Sequence, residues 1–234
     1  MTVDVLGEIA TNPPQVPGKA AEYIKVLQAI HAQGLNAGVS IKPAALGLLL
    51  DLPQCEHFFA DILEVVQRYQ LPVCTHMKDV AYTQMEIDLF TRLRQGGKHL
   101  SLAIQACLQR SYGDIEQSSP MKSRLRICKG IYVEDHPHLR ADSWQSRCAV
   151  DSHLLHHLNR CFDERVFVEI AFHDEALIEQ VIALAGRRAI APAQFKFQML
   201  LGVCETSRDR LLMRGFSARI YLPCSDNWYA YSIQ

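Results

Sequence analysis

The sequence lacks the features that mark several classes of protein. No apolar run approaches the roughly 20 residues of a membrane span. The first residues, Met1-Thr-Val-Asp-Val, have neither the basic start nor the apolar core of a signal peptide. The formal net charge of −1 gives no basic surface for nucleic acid, so no nucleic-acid partner is expected.

A disulfide framework and a structural zinc site are also not expected. The chain has eight cysteines, but none of them stands in a Cys-x-x-Cys pair. Cys74, Cys107 and Cys128 fall within predicted strands, where they take the place of small hydrophobic residues. This usage predicts reduced thiols in a cytoplasmic protein, with no metal site.

Short apolar segments alternate with amphipathic helical segments along all 234 residues. The predicted strands cover residues 3–7, 37–42, 72–76, 101–106, 125–130, 166–171, 194–197 and 218–222. The predicted helices cover residues 19–32, 58–69, 83–93, 147–161, 175–184 and 207–213. Gly34, Gly96-Gly97, Gly186 and Gly215 are predicted to close helices ahead of strands. This alternation predicts an α/β fold with a parallel sheet.

The count of eight strands favours a closed (β/α)8 barrel over an open doubly wound sheet. No Gly-x-Gly-x-x-Gly follows the first strand, so the dinucleotide-binding alternative lacks its usual phosphate-binding turn. After the eighth strand, residues 227–234 supply barely two helical turns, so we expect a truncated eighth helix. Apolar surface at residues 222–228 would then be open to cover by a second copy of the chain in a homo-oligomer.

The fifth predicted strand carries charges that packing alone does not explain. Arg126 and Lys129 stand among the apolar and aromatic residues Ile127, Ile131 and Tyr132. Buried cations are unfavourable unless they are paired. Ligands of barrels and open parallel sheets bind at the carboxyl ends of the strands. The pattern therefore predicts an anionic or electron-rich ligand at this strand end.

Seven segments in order resemble the proline dehydrogenase family, whose members are FAD-dependent enzymes of proline metabolism built on a distorted (β/α)8 barrel. The segments are residues 4–8, 39–47, 104–106, 126–132, 172–174, 195–200 and 219–223. The resemblance covers residues 1–234 as a single barrel domain.

The resemblance implies a cofactor role for five residues. Arg126 matches the arginine beside flavin N5, where a fixed cation stabilises the anionic reduced flavin. Gln105 matches the glutamine on the flavin ring edge, since an amide can both donate and accept hydrogen bonds. Lys129, Gly130 and His173 belong to segments that hold the ribityl, phosphate or adenine portions of FAD.

On the substrate side, the resemblance places Lys42 near the substrate carboxylate. Tyr221 matches the tyrosine that packs on the substrate ring, and Leu200 belongs to a strand that lines the same pocket. The family's last helix carries Tyr-x-x-Arg-Arg, whose arginines clamp the carboxylate. Here Tyr231 is followed by Gln234 at the position of the first arginine. Each lost charge-assisted hydrogen bond would weaken free-proline binding by about 1.5–3 kcal/mol.

The other departures from the family are acid-to-base changes. His76 replaces an active-site aspartate of the third strand, and Lys78 replaces the glutamate two residues later. Lys196 stands where the seventh strand usually has glutamate. We therefore expect Lys42 to face the imidazole of His76 without an acid partner, a situation in which a buried lysine tends to lose its proton.

Three interpretations follow. The first is a flavoenzyme that oxidises a C–N bond of proline or a proline-like cyclic amine to an imine, with Arg126, Lys42, His76 and Tyr221 at the reacting centre. Hydride would pass to flavin N5, and a quinone or oxygen would reoxidise the flavin. A quinone acceptor would imply peripheral membrane contact.

The second interpretation is a catalytically degenerate relative that acts as a binding or partner protein. The third is a metal-dependent barrel enzyme using His76, His173 and Cys128, because histidine is the commonest metal ligand. No helical i, i+4 pair or compact ligand motif supports this third interpretation.

Overall fold

The computed structural model describes residues 1–7, 9–94, 100–118, 124–132, 134–139 and 149–224. Within these residues, eight strands alternate with seven α-helices. The strands are β1 (Thr2–Val5), β2 (Gly38–Ile41), β3 (Val73–Thr75), β4 (Leu100–Gln105), β5 (Arg124–Cys128), β6 (Val168–Ala171), β7 (Phe195–Leu200) and β8 (Ala218–Cys224). The helices are α1 (Val16–Ala32), α2 (Leu52–Tyr69), α3 (Val80–Leu93), α4 (Ser111–Ser118), α5 (Ala149–Asp163), α6 (Glu175–Arg187) and α7 (Glu205–Met213).

The eight strands form a closed barrel in chain order from β1 to β8. The pairings of β1 with β2 and β8, of β2 with β3, and of β5, β6 and β7 in turn are all parallel. The predicted (β/α)8 barrel is thus confirmed, and each predicted strand overlaps an observed one. The expected eighth helix at residues 227–234 lies outside the described residues, as do Gly96 and Gly97.

Two details of the sequence prediction were wrong. Gly186 does not close a helix: α6 continues through it to Arg187, and Ala189 takes the left-handed conformation with φ 52°. Cys107 lies just after β4 instead of within a strand. All seven cysteines among the described residues carry free thiols. No helix in this part of the chain is long and apolar enough to cross a membrane.

Aspartates set the start of three helices. Asp51, Asp79 and Asp174 each precede a helix and accept a main-chain N–H from its first turn. A carboxylate at this position satisfies a donor that the helix leaves unpaired and lies favourably in the helix dipole. Asp79 and Asp174 follow β3 and β6 closely, so the caps also fix the turns in which site residues lie.

The chain divides into two compact units. The first comprises Met1–Ser101 with the chain from Tyr221 onward, and the second comprises Leu102–Ile220. The core of the first unit includes Tyr23, Leu27 and Phe59, all fully buried.

In the second unit, Phe195 and Phe197 of β7 contact the rings of Phe162 and Phe216. Because side chains alternate along a strand, Lys196 and Gln198 lie on the opposite, interior face.

Candidate active site

The carboxyl ends of β4 and β5 hold the first predicted cofactor residues. Past β4, the N–H groups of Ala106 and Cys107 donate to the carbonyls of Cys128 and Lys129, at 2.8 and 3.0 Å. Gly130 has φ 108°, and a Cβ there would lie 2.3 Å from Cys107 Sγ and 3.4 Å from Gln105 Oε1. A side chain would clash with the sulfur, so glycine is required for this close approach. The buried Gln105 amide is thereby held beside Gly130.

Arg126 brings a half-buried cation to β5. Its Cα pairs with that of Glu169 on β6. Burial raises the pKa of the nearby Cys128 thiol, and the positive charge of Arg126 opposes that shift without reversing it. Cys128 therefore stays protonated at neutral pH, and Arg126 keeps its full charge because a guanidinium does not deprotonate in proteins.

Lys129 is held by two carboxylates. Its Nζ lies 2.6 Å from Asp151 Oδ1 and 3.2 Å from Asp174 Oδ2. Burial acts to lower the pKa of Lys129, but the hydrogen bonds to both aspartates raise it overall. The ammonium is therefore charged and shared. Because both aspartates already bind Lys129, its contribution to a cofactor site would be to fix the end of β5.

His173 joins the ends of β6 and β7. Its Nε2 accepts the main-chain N–H of Leu200 at 2.9 Å, so the neutral ring carries its proton on Nδ1. Burial lowers the pKa of His173, which favours this neutral form. The contact brings together two residues that the sequence placed on different strands, and it leaves Nδ1–H as a donor.

This donor set fits FAD. The Gln105 amide can pair with the edge of an isoalloxazine, Arg126 can balance the charge of its reduced form, and His173 Nδ1–H can bind a phosphate oxygen.

The buried Lys42 has an acid partner that the sequence analysis missed. Its Nζ lies 3.0 Å from Asp4 Oδ1 and 3.2 Å from Asp4 Oδ2, and its main-chain N–H donates to Tyr23 Oη at 3.1 Å. The expectation that Lys42 lacks an acid was therefore wrong. Asp4 on β1 pairs in register with Ser40 on β2, two residues before Lys42. Asp4 is the first residue of the first family-like segment, but the sequence alone does not show that it lies beside the end of β2.

Tyr221 belongs to the same buried group. It lies on β8, where it pairs in register with Thr2. Burial is the main cause that raises the pKa of Tyr23, and the charges of Asp4 and Tyr221 add to the effect. Tyr23 is thus close enough to interact with Asp4, Lys42 and Tyr221.

His76 follows β3, and its main-chain N–H donates to the Ile41 carbonyl at 2.8 Å. Glu86 of α3 holds the turn after His76. Its two carboxylate oxygens accept the main-chain N–H of Lys78, at nitrogen–oxygen distances of 3.1 and 3.3 Å. Glu86 is fully buried, and burial raises its pKa to about 8. The sequence analysis missed Glu86 because an acid among the apolar positions of a helix gives no sign of its partner.

Lys196 also has an acid partner. Its Nζ lies 2.6 Å from Glu169 Oε1, so β6 supplies the carboxylate that the seventh strand lacks. Tyr231 and Gln234 lie outside the described residues. Among the residues that are described, no three histidine, cysteine, aspartate or glutamate side chains are grouped so that they could hold a metal ion.

Comparison with known families decides what kind of protein this is. The proline dehydrogenase family matches residues 1–227. The chain belongs to the proline dehydrogenase family. It is an enzyme of the proline dehydrogenase type, and its membership does not favour the alternative of a degenerate binding protein.

Relatives and solved structures agree with this assignment. Proline dehydrogenase 2 of Bacillus subtilis is 29% identical over 231 residues, which cover 99% of this chain and 75% of that protein. Proline dehydrogenase of Deinococcus radiodurans is 26% identical over 234 residues, covering 98% and 74%.

The proline utilization A structure of Bdellovibrio bacteriovorus superimposes with a TM-score of 0.85 at 17% identity, covering 97% of this chain. This chain spans only 28% of that protein, so the likeness concerns the fold alone.

Proposed function

We propose that the chain binds FAD and oxidises a C–N bond of proline, or of a proline-like cyclic amine, to an imine. The observation that carries this proposal is the set of Gln105, Gly130 and His173 at or just past the carboxyl ends of their strands, with Arg126 in the middle of β5, in a chain of the proline dehydrogenase family. Bound FAD would supply the oxidant, accepting the hydride of the carbon next to the nitrogen at its N5.

The protein's own groups would bind and orient the cofactor. Arg126 would hold a positive charge where the reduced ring becomes negative. Gln105 would fix the ring edge, and Gly130 keeps the backbone close to that amide. The Nδ1–H of His173 would donate to a cofactor oxygen. Lys129 would act mainly by tying the starts of α5 and α6 to the end of β5, since its charge is shared by Asp151 and Asp174.

The substrate side favours a substrate without a free carboxylate. Asp4 already neutralises Lys42, so the pair presents no net positive charge to a carboxylate. His76 and Gln234 stand where the family has an acid and an arginine. We therefore propose an ester, an amide or a carboxylate-free analogue of proline as the preferred substrate. Tyr221 would pack against its ring.

We further propose a quinone or oxygen as the electron acceptor and the cytoplasm as the location. The support is the family assignment together with the usage of reduced cysteines. A quinone acceptor would bring the protein to a membrane surface.

The proposed function is tested by an absorbance spectrum with an anaerobic substrate panel. We expect a yellow protein with a band near roughly 450 nm that bleaches with L-prolinamide, proline methyl ester or pyrrolidine. Arg126→Ala should abolish bleaching, whereas the control Arg188→Gln, at an exposed ion pair with Asp163, should leave it unchanged. A colourless protein that takes up no added FAD would overturn the proposal. Rapid bleaching with free L-proline would overturn the altered substrate alone.

A further inference from the structure

The turn between β3 and α3, residues 76–79, begins with His76, which the proposed function places on the substrate side. The N–H of His76 donates to the Ile41 carbonyl at 2.8 Å and so continues the pairing of β3 with β2. Because Ile41 pairs in register with Thr75, the next residues of the two strands, Lys42 and His76, lie side by side. The position of this turn therefore decides where His76 stands relative to the buried Lys42.

Glu86 of α3 reaches back to this turn. It lies in the second turn of the helix, and helical side chains point toward the amino end of their helix. Its carboxylate oxygens accept the main-chain N–H of Lys78, at nitrogen–oxygen distances of 3.1 and 3.3 Å. The side chain is fully buried. An acid at such a place needs a compensating contact, and the Lys78 N–H supplies one.

The contact made by Glu86 differs from those made by Asp79, the last residue of the turn. Asp79 accepts the N–H of Ala81 through its side chain and the hydroxyl of Thr83 through its carbonyl, at 3.0 and 3.1 Å. These bonds tie the end of the turn to the first residues of α3. Glu86 instead holds the middle of the turn, two residues after His76, from farther along the helix.

The titratable groups that interact with Glu86 in the described part of the chain are Lys78, Asp79 and Cys55 of α2. Burial raises the pKa of Glu86 to about 8; the N–H and the charge of Lys78 oppose the rise, and Asp79 adds to it. Burial also raises the pKa of the Cys55 thiol, to about 12, so this thiol stays neutral. Since the hydrogen bond from Lys78 lowers the pKa of Glu86, loss of the Glu86 proton must in turn strengthen that bond.

We propose that Glu86 is a positioning residue of the substrate side: through the N–H of Lys78 it holds the turn that sets His76 beside Lys42. Glu86 itself would not touch the substrate. A more firmly held turn would tighten binding on the substrate side and leave the binding of FAD unchanged. The effect on substrate rests on the proposed function, whereas the link from Glu86 to His76 does not.

The link from Glu86 to His76 is tested by NMR on the protein with FAD added. We expect the amide proton of Lys78 to move downfield as the pH rises through about 8, and the imidazole resonances of His76 to show a transition at the same pH. Glu86→Gln keeps a side-chain oxygen for the Lys78 N–H but cannot ionise, so both transitions should be absent. Asp88→Asn, at an exposed position of the same helix, is the matched control and should keep them.

The consequence for the site is tested with tetrahydrofuran-2-carboxamide. An ether oxygen replaces the ring nitrogen of prolinamide in this probe, so the probe does not titrate. Its Kd, read from the flavin absorbance, should fall up to about fivefold from about pH 7 to about pH 9, the gain from a neutral to a charge-assisted hydrogen bond. Glu86→Gln should show no such fall. Glu86→Ala, which has no acceptor, should bind the probe about tenfold more weakly at both pH values, with an unchanged affinity for FAD.

The Gln variant decides the outcome even if Glu86→Ala does not fold. The proposal is overturned if the His76 resonances, or the Kd of the probe, depend on pH in Glu86→Gln as they do in the original protein. A protein that takes up no FAD overturns the proposed function instead, and the resonances of His76 then decide the positioning role of Glu86 alone.

Discussion

Lys42 and Asp4 form a buried ion pair whose members come from neighbouring strands. Nζ lies 3.0 and 3.2 Å from the two carboxylate oxygens. A buried pair adds little net stability, but removing one partner strands the other charge in the interior. Lys42, which would bind the substrate in the proposed function, thus depends on Asp4, and Asp4 need not contact the substrate itself.

Asp4→Asn should therefore destabilise the fold by about 3–5 kcal/mol, the range measured when one member of a buried pair is removed. The double variant Asp4→Asn, Lys42→Met should be more stable than Asp4→Asn alone, because it removes the stranded cation. Urea unfolding of the single and double variants measures this coupling. Asp163→Asn, at the exposed pair with Arg188, is the control and should cost no more than about 1 kcal/mol. An Asp4→Asn protein as stable as the original would refute the pairing.

Glu86 gives the fold a pH dependence of known sign. Its pKa is raised by burial from 4.5 to about 8, so between these values the folded protein binds a proton that the unfolded chain has released. Its contribution to stability is therefore complete below the lower value and falls, by at most about 1.4 kcal/mol per pH unit, as pH rises to about 8.

Glu86→Gln should remove this slope while its side-chain oxygen still accepts the Lys78 N–H. The slope is measured from the free energies of unfolding at pH 5 and pH 8. Between these two pH values, the original protein should lose more stability than the Glu86→Gln variant does. Asp88→Asn, on the exposed part of the same helix, is the control. Equal slopes in all three proteins would show that Glu86 is charged throughout.

At the scale of elements, the alternation of strands and helices was readable because apolar runs and turns repeat eight times. Helix α4 was missed since its eight residues contain only two large apolar side chains, Tyr112 and Ile115, too few for a helical period. The prediction that Gly186 ends α6 was wrong because a glycine can also continue a helix. Ala189 takes the left-handed conformation instead, at a modest cost in backbone free energy. The acid partners of Lys42 and Lys196 lie on neighbouring strands. They could not be predicted because no local stretch of the sequence shows which residues of two strands lie side by side.

The contact of Lys129 with Asp151 and Asp174 links the end of β5 to the starts of α5 and α6. It predicts that the caps Asp174 and Asp51 differ in their effect on the protein. Asp174 caps α6 and binds Lys129, whereas Asp51 caps α2 alone. Asp51→Ala and Asp174→Ala should each lose about 1 kcal/mol as caps. Only Asp174→Ala should also weaken FAD binding, because the end of β5 loses one of its anchors.

Fluorescence titration of FAD with both variants measures the difference between the caps. Equal FAD affinities would mean that Lys129 is held adequately by Asp151 alone, so that Asp174 serves only as a cap.

At the scale of the whole molecule, the charged residues of each compact unit bear on one part of the proposed reaction. In the second unit, Arg126 on β5 would stabilise the anionic reduced flavin. In the first unit, Asp4 pairs with the buried Lys42. Under the proposed function, the chain would keep the family's cofactor chemistry while its substrate preference lies away from a free carboxylate.

The balance in the first unit predicts how substrate preference should respond to one substitution. At concentrations below KM, L-prolinamide should reduce the flavin faster than L-proline, because Lys42 offers no net charge to a carboxylate. Asp4→Asn leaves Lys42 without its acid, and the carboxylate of a bound L-proline can take the place of that acid. The variant should therefore speed reduction by L-proline relative to L-prolinamide, by about tenfold if one charge-assisted contact is gained. Anaerobic stopped-flow bleaching, at a temperature where the variant is folded, gives this ratio. An unchanged ratio would mean that Asp4 stabilises the fold without setting the specificity.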